Sequence, residues 1–197
     1  MSSNGFVQIE SCIFRSNNVR GGAGGPAGLA IFSASGGSAS GSALHQIGGD
    51  LVINGTTFDS NEALAGAEGP ATSGSFSSPN SLVRGGAIAI EGARVLVSEC
   101  LFLTNSVKDG SACGGAIFAA SSPSIEIVNT DFRGNSAAGG VTLWIANGNA
   151  SARGGALYLT GCDATIRACF WHGNSAVGGI VRTQPHSAGT DHSYGGA

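Results

Sequence analysis

Apolar and polar positions alternate in short runs along the chain, and the same run recurs five times in front of an aromatic residue. The fifth position before that residue is always Ile or Val, and the seventh is Val, Leu, Ile or Ala. Alternation with a period of two and β-branched residues on one side predicts a short β-strand with one buried face. The aromatic residues that follow these runs are Phe14, Phe58, Phe102, Phe132 and Trp171.

A fixed motif surrounds each aromatic residue. Cys or Thr lies two residues before it and Asn lies three residues after it. The inward positions are therefore odd (seven and five before the aromatic residue) and then even (two before it and the aromatic residue itself). This change in the alternation predicts a bend between two short strands. We expect the asparagine amides to form a ladder at a turn, because identical side chains in stacked strands bond to one another. These asparagines are Asn17, Asn61, Asn105, Asn135 and Asn174.

A second motif precedes the aromatic residue by 17 or 18 residues and reads Gly-Gly-Ala-Ile or Gly-Gly-Ala-Leu, with Gly-Ser at 41–42 as the one departure. It predicts a tight corner followed by another strand. Together the two motifs define complete repeat frames and two partial ones. The complete frames are 41–61, 85–105, 114–135 and 154–174, and the partial ones are the half coil 1–17 and the start of a further coil at 195–197.

The spacing inside a frame is nearly constant, whereas successive frames begin 44, 29 and 40 residues apart. A fixed frame with connections of variable length is typical of a solenoid that accepts insertions on one face. We therefore predict one all-β domain over 1–197, a parallel β-helix of about five coils with Gly/Ser/Ala-rich loop insertions. Equivalent residues would stack about 4.8 Å apart along its axis.

The pairing of GGA[I/L] with FxxN resembles the repeat of the chlamydial polymorphic outer-membrane proteins, which also occurs in secreted, adhesin-like proteins. The resemblance extends over nearly the whole chain. It implies that the parallel β-helix is right-handed, that it is displayed outside the cell or on its surface, and that such proteins often take part in adhesion.

Composition narrows the function further. Gly accounts for 34 of 197 residues, charged residues for 11%, and the net charge is −3 with only nine Lys and Arg. Binding to nucleic acid needs clustered basic residues, so this class of partner is excluded. No run approaches the roughly 20 apolar residues of a transmembrane helix, so no membrane-spanning segment is predicted.

The cysteines favour free thiols. Cys12, Cys100 and Cys169 share the position two before the aromatic residue, where they alternate with Thr. Neighbouring cysteines in that column would lie about 10 Å apart, beyond disulfide reach, so we interpret them as small apolar fillers. The sequence leaves open whether Cys113 pairs with Cys162, and no cysteine spacing indicates zinc.

Catalytic and ligand-binding chemistry has little support in the sequence. Polysaccharide-active β-helices need clustered carboxylates, whereas the twelve acidic residues here are scattered over the repeat. We predict no catalytic residue, metal or cofactor, and interpret 186–194, with His186, Asp191 and His192, as a solvated loop. Two sequons, at Asn54 and Asn149, are candidate N-glycosylation sites.

The predicted function is that of a non-catalytic extracellular structural repeat protein, a segment or subunit of a surface fibre that stacks coil on coil. Its partner would be another coil, supplied by head-to-tail self-association or by continuation of a longer repeat array. An adhesin segment that binds a host protein or glycan through its loops is the alternative, and a polysaccharide-active enzyme is a more distant one.

Overall fold

The computed structural model describes residues 5–26, 32–33, 35–69, 76–77, 81–143, 151–182 and 193–194. In these residues the regular secondary structure consists of 28 short strands, numbered here in chain order. Every strand pairing in the described part is parallel and joins equivalent positions of successive repeats. The predicted all-β parallel β-helix is thereby confirmed.

Three sheets follow the repeat frame in order. The Ile/Val sheet consists of β1 (Phe6–Glu10), β7 (Asp50–Asn54), β13 (Arg94–Ser98), β18 (Ser124–Val128) and β24 (Ala164–Arg167). The aromatic sheet consists of β2 (Ile13–Arg15), β8 (Thr57–Asp59), β14 (Leu101–Leu103), β19 (Asp131–Arg133) and β25 (Phe170–His172). The alanine sheet consists of β3 (Asn18–Arg20), β9 (Glu62–Leu64), β15 (Ser106–Lys108), β20 (Ser136–Ala138) and β26 (Ser175–Val177).

Two further sheets complete each coil around the Gly-Gly-Ala motif. The arginine sheet consists of β5 (Ala39–Ser40), β11 (Leu82–Arg84), β16 (Ser111–Cys113), β22 (Ala152–Arg153) and β28 (Ser193–Tyr194). The glycine-corner sheet consists of β6 (Leu44–Ile47), β12 (Ile88–Glu91), β17 (Ile117–Ala120) and β23 (Leu157–Thr160). Strand pairs in the insertions are β4 (Phe32–Ser33) with β10 (Phe76–Ser77) and β21 (Val141–Leu143) with β27 (Ile180–Arg182).

We number the coils one to five by the strands of the Ile/Val sheet. Coils two to five each contribute a strand to all five of these sheets, whereas coil one, within the described residues, has none in the glycine-corner sheet. The structure thus has four complete turns and most of a fifth, close to the predicted five. The right-handed sense implied by the resemblance stays a prediction.

The bend predicted before each aromatic residue is confirmed. In every coil, the first of the two residues between the Ile/Val strand and the aromatic strand has a φ of +49 to +58°. Only one of the five is glycine, so side-chain-bearing residues occupy the left-handed region at a cost that the surrounding ladders offset. These residues are Ser11, Gly55, Glu99, Asn129 and Ala168.

The Gly-Gly-Ala motif makes the corner between the arginine and glycine-corner sheets. In coil four, Gly114 has a φ of +69°, which favours glycine. Gly115 has no room for a side chain, because a Cβ there would lie 1.9 Å from the carbonyl oxygen of Gly155 in the next coil. Ala116 is completely buried against the core. In coil two, Ser42 replaces the second glycine and its hydroxyl donates to the carbonyl of Gly86.

Replacing Gly115 by alanine is therefore expected to destabilise the protein by about 1–3 kcal/mol, the usual range for a group forced into a packed interior. The obstacle is backbone of the neighbouring coil, which has little freedom to move away. Urea-induced unfolding of Gly115→Ala checks this. Gly92→Ala is a useful comparison, because its Cβ would meet no heavy atom within 4 Å and only its φ of +65° opposes the change. Equal losses in the two variants would contradict the steric argument.

The core runs along the axis in two parts. The larger part joins the inward residues of the Ile/Val, aromatic and glycine-corner sheets, with Ile53, Phe58 and Phe102 at 0% exposure. The smaller part is built mainly from alanine and valine between the alanine and arginine sheets, as at Ala63 and Val107. The aromatic column thus belongs to the larger part of the core.

Candidate functional site

The aromatic residues form one continuous stack through all five coils, as the sequence predicts. Successive ring centroids lie 5.0, 4.8, 4.9 and 4.3 Å apart from Phe14 to Trp171, and the ring planes differ by 4–6°. The middle rings, Phe58, Phe102 and Phe132, are completely buried. Burial of each ring contributes several times more than the stacking itself, which adds about 0.5–1.5 kcal/mol per pair.

The asparagine ladder runs beside the aromatic stack and has a direction. Each side-chain Nδ2 donates to the Oδ1 of the asparagine in the following coil, at 2.8–3.0 Å. The backbone N–H of each asparagine donates to the same Oδ1, at 3.0–3.1 Å. From coil two onward, Nδ2 also donates to the carbonyl of the aromatic residue one coil back, at 2.9–3.0 Å.

This ladder satisfies buried groups that would otherwise lack partners. Asn61, Asn105 and Asn135 are completely buried, and their amides connect the backbone of three successive coils. A buried polar group without a partner costs about 1–3 kcal/mol. Hydrogen bonding at the turn between the aromatic strand and the alanine strand therefore explains why Asn recurs in every repeat. This supports the expected amide ladder.

The Cys/Thr column lies where the sequence places it, but its exposure varies along the axis. All five cysteines of the protein are free thiols. Cys100 is buried, as expected for an apolar filler, and burial raises the pKa of its thiol. Cys169 is half-buried and Cys12 is exposed, contrary to the filler interpretation, because each lies in an end coil.

Apolar side chains in the two end coils are exposed to solvent. In the fifth position before the aromatic residue, Ile53 and Ile127 are at 0% exposure, whereas Ile166 in coil five is at 42%. On the outer surface of the aromatic sheet, Phe170 in coil five is 51% exposed and Ile13 in coil one is 67% exposed. The described structure therefore presents apolar surface at both ends of the stack.

The outer surface carries ion pairs between coils. Asp59 accepts from Arg15 at 2.9 Å, and Asp50 accepts from Arg94 at 2.6 Å. The hydrogen bond from Arg94 lowers the pKa of Asp50, and Asp50 in turn raises the pKa of Arg94. Glu62 pairs with Lys108 in the same manner. These carboxylates are paired with basic side chains of neighbouring coils along the axis of the β-helix.

A cluster of basic and aromatic side chains lies on the outside of the Gly-Gly corner. The guanidinium of Arg84 lies 5.0 Å from the ring centroid of Phe118 and donates to Glu91 at 2.9 Å. Phe118 stacks on Tyr158 with centroids 5.9 Å apart, and Arg153 donates to the Tyr158 hydroxyl at 3.4 Å. We call these five residues the corner cluster.

Cys113 lies between Arg84 and Arg153 in the arginine sheet, and it is 8% exposed. Burial raises the pKa of its thiol, against an opposing effect of the two arginines. Sequence analysis missed the corner cluster. The available signal was the residue before each Gly-Gly-Ala, which is Arg, Cys and Arg in coils three to five.

Comparison with known proteins gives no assignment. No family model, curated protein or solved structure matches the chain. The resemblance to the polymorphic outer-membrane protein repeat therefore stays an interpretation of the motifs. In the described residues, no helix has the length and apolar character needed to cross a membrane.

The sequence also suggested two glycosylation sites and a polar loop, and the structure describes only one of them. Asn54 lies on the outer side of the Ile/Val sheet, as predicted, where its half-buried side chain accepts a hydrogen bond from Ser98 at 3.0 Å. Asn149 and the polar residues His186, Asp191 and His192 lie outside the described residues, as does the segment 195–197. Within the described ranges, no three His, Cys, Asp or Glu side chains converge as a metal site would require.

Proposed function

We propose that the chain is a non-catalytic structural repeat protein of the cell exterior, which forms part of a surface fibre by stacking coil on coil. The observation that carries this proposal is the continuity of the ladders. The aromatic stack, the asparagine ladder and the apolar core all run unbroken along one axis and reach both end coils. A rod built in this way is extended by adding coils without any change of geometry.

The outer surface supports a structural role more than a catalytic one. Six described carboxylates are paired with Arg or Lys, mostly between neighbouring coils. Such pairs brace adjacent coils, although each exposed pair adds only about 0–1 kcal/mol. The extracellular location is supported by the resemblance of the GGA[I/L] and FxxN motifs to those of secreted repeat proteins.

The location is tested on intact cells that produce the chain. Antibodies against it are expected to label the outer surface in immunogold electron microscopy, along filaments, and protease added to intact cells is expected to remove the label. A cytosolic protein of the same cells serves as the control for lysis. Protection of the chain until the cells are broken would contradict the extracellular role.

N-glycosylation of Asn54 belongs to the same proposal, because it requires passage through a secretory pathway. Its outward position on β7 leaves the amide accessible from outside the helix. Intact mass before and after treatment with peptide N-glycosidase checks this on surface-derived protein, with Asn54→Gln as the matched variant. An unchanged mass would remove glycosylation from the proposal and leave the fibre role in place.

The alternative is an adhesin that binds a host protein or glycan. The corner cluster favours it, because Arg and Tyr side chains on a surface are frequent in binding hot spots. The cluster is largely self-contained, however, since Phe118 is only 4% exposed beneath Arg84. Binding of the protein to a glycan array that is lost in Tyr158→Ala, with the fold intact by circular dichroism, would favour the adhesin over the fibre.

A further inference from the structure

The asparagine ladder ends differently at the two ends of the stack. In coil five, Asn174 is 8% exposed, and among the described residues its backbone N–H reaches no acceptor. Its Nδ2 donates only to Phe132 O, so the second N–H of that amide is also unused. In coil one, the Oδ1 of Asn17 accepts no hydrogen bond from the described residues. One end therefore offers two donors, and the other offers the acceptor that such donors bind inside the ladder.

The inward columns match in the same way. When coil five is placed next to coil one at the spacing of the other coils, each inward residue of the Ile/Val, aromatic and alanine strands meets an equivalent residue. Small residues of coil five meet larger ones of coil one, and the aromatic and asparagine columns continue. These pairs are Ala164 with Val7, Ile166 with Ile9, Cys169 with Cys12, Trp171 with Phe14, Asn174 with Asn17 and Ala176 with Val19.

The outward columns add charge and apolar complementarity. Arg167 of coil five would lie beside Glu10 of coil one, which repeats the pattern of opposite charges between neighbouring coils inside the chain. Phe170 would lie beside Ile13, and each of these apolar side chains is more than half exposed in the described structure. Contact between the two side chains shields part of the largest exposed apolar surfaces of the aromatic sheet from water.

We propose that the partner of coil five is coil one of a second copy of this chain, bound head to tail with the columns of the Ile/Val, aromatic and alanine sheets in register. Asn174 of one copy donates through its backbone N–H and Nδ2 to Asn17 Oδ1 of the next. The contact is heterologous, so it propagates as an open filament with one polarity. This inference rests on the proposed function, since it names the partner that extends the fibre.

The proposed contact places two thiols together that are far apart within one copy. Cys12 and Cys169 are separated by four coil steps in the chain, about 19 Å. Across the contact they occupy adjacent coils of one column, about 5 Å apart, which lies in the Cα range for a disulfide. Both thiols are accessible in the described structure, whereas Cys100 in the same column is buried. An oxidant therefore reports the contact directly.

The experiment uses the full chain with Cys162→Ser, which removes the other half-exposed thiol. Copper–phenanthroline in air joins two thiols into a disulfide and passes their two electrons and two protons to oxygen. We expect a ladder of covalent dimers, trimers and longer species on a non-reducing gel. Adding Cys12→Ser or Cys169→Ser separately is expected to abolish it. A mixture of these two variants is expected to give dimers and nothing longer, because each copy then has one reactive end.

Three results would overturn the proposal. Covalent dimers from the Cys12→Ser variant alone would show a symmetric contact through Cys169. Oligomers detected by sedimentation velocity without any disulfide would place the contact elsewhere. A monomer at every accessible concentration would remove the contact altogether. If any of these results is found while antibodies still label filaments on the cell surface, the contact is rejected and the proposed function stands. If the covalent ladder forms but the chain is absent from the surface, the contact stands and the proposed function is rejected.

A second pair of variants separates the contact from general surface effects. Ile13→Glu places a charge beside Phe170 of the next copy, at the outer edge of the contact, and is expected to weaken association about tenfold because an apolar contact is lost and a carboxylate faces a ring. Leu82→Glu is the control, since Leu82 is 41% exposed on β11, which has a neighbouring strand on both sides in the arginine sheet. Equal weakening by the two variants would contradict the proposed contact.

Discussion

Replacement of Asn105 by leucine is expected to lower the free energy of unfolding by about 2–6 kcal/mol, because two buried groups each lose a partner worth about 1–3 kcal/mol. Leucine has the same branching and the same number of side-chain heavy atoms as asparagine but no hydrogen-bonding group, so the change removes every hydrogen bond of the amide. The backbone N–H of Asn61 loses Asn105 Oδ1 at 3.0 Å, and Phe58 O loses Asn105 Nδ2 at 3.0 Å. Asn105 is itself completely buried, so water does not replace either partner.

Urea-induced unfolding followed by circular dichroism measures this effect. Asn18→Leu is the control, because Asn18 is exposed and its side chain makes a single hydrogen bond to Glu62. We expect that control to change stability by no more than about 0.5 kcal/mol, as is usual for surface substitutions. A similar small loss in both variants would show that the asparagine ladder contributes nothing to stability.

Truncation of Phe102 to alanine is expected to cost about 3–5 kcal/mol, the usual range for deleting a buried aromatic ring. Phe102 is completely buried and lies between two other rings of the stack, with centroid distances of 4.8 Å to Phe58 and 4.9 Å to Phe132. The ordered sheets on both sides prevent the coil from collapsing into the space. The variant therefore leaves a cavity at the centre of the stack.

The neighbouring residue in the same strand provides the control for Phe102. Leu101 points outward from β14 and is half-buried, so Leu101→Ala truncates a large apolar side chain of the same strand without opening the core. We expect it to cost about 1 kcal/mol or less. If the two variants unfold at the same urea concentration, the aromatic column is not the centre of the fold.

The column structure of this protein was predictable from the sequence because identical residue types recur at constant spacing. Parallel pairing in register stacks equivalent residues of neighbouring coils. The repeat alone therefore predicts that Phe58 contacts Phe102. The direction of the asparagine ladder was not predictable, since it depends on which amide oxygen faces which neighbour. Likewise, the exposed Cys12 was assigned to the interior because its column is buried in the middle coils.

Other features lacked a local signal. The parity shift predicts the bend before the aromatic strand but not its left-handed backbone, because the five residues there include Glu99 and Asn129 and only one of them is glycine. The alanine and arginine sheets have no distinct periodic pattern in the sequence, because their strands are only two or three residues long. The corner cluster depends on outward side chains of two different sheets, which no single stretch of sequence places together.

The most direct test of coil-on-coil stacking is the axial rise per copy in filaments of the full chain, measured by cryo-electron microscopy. Five coils at about 4.8 Å each predict a rise of about 24 Å, with a continuous 4.8 Å repeat across every contact between copies. That value would establish that coil one of each copy continues coil five of the last. A clearly larger rise, or a break in the 4.8 Å repeat at the contact, would contradict the stacking of coils that defines this account.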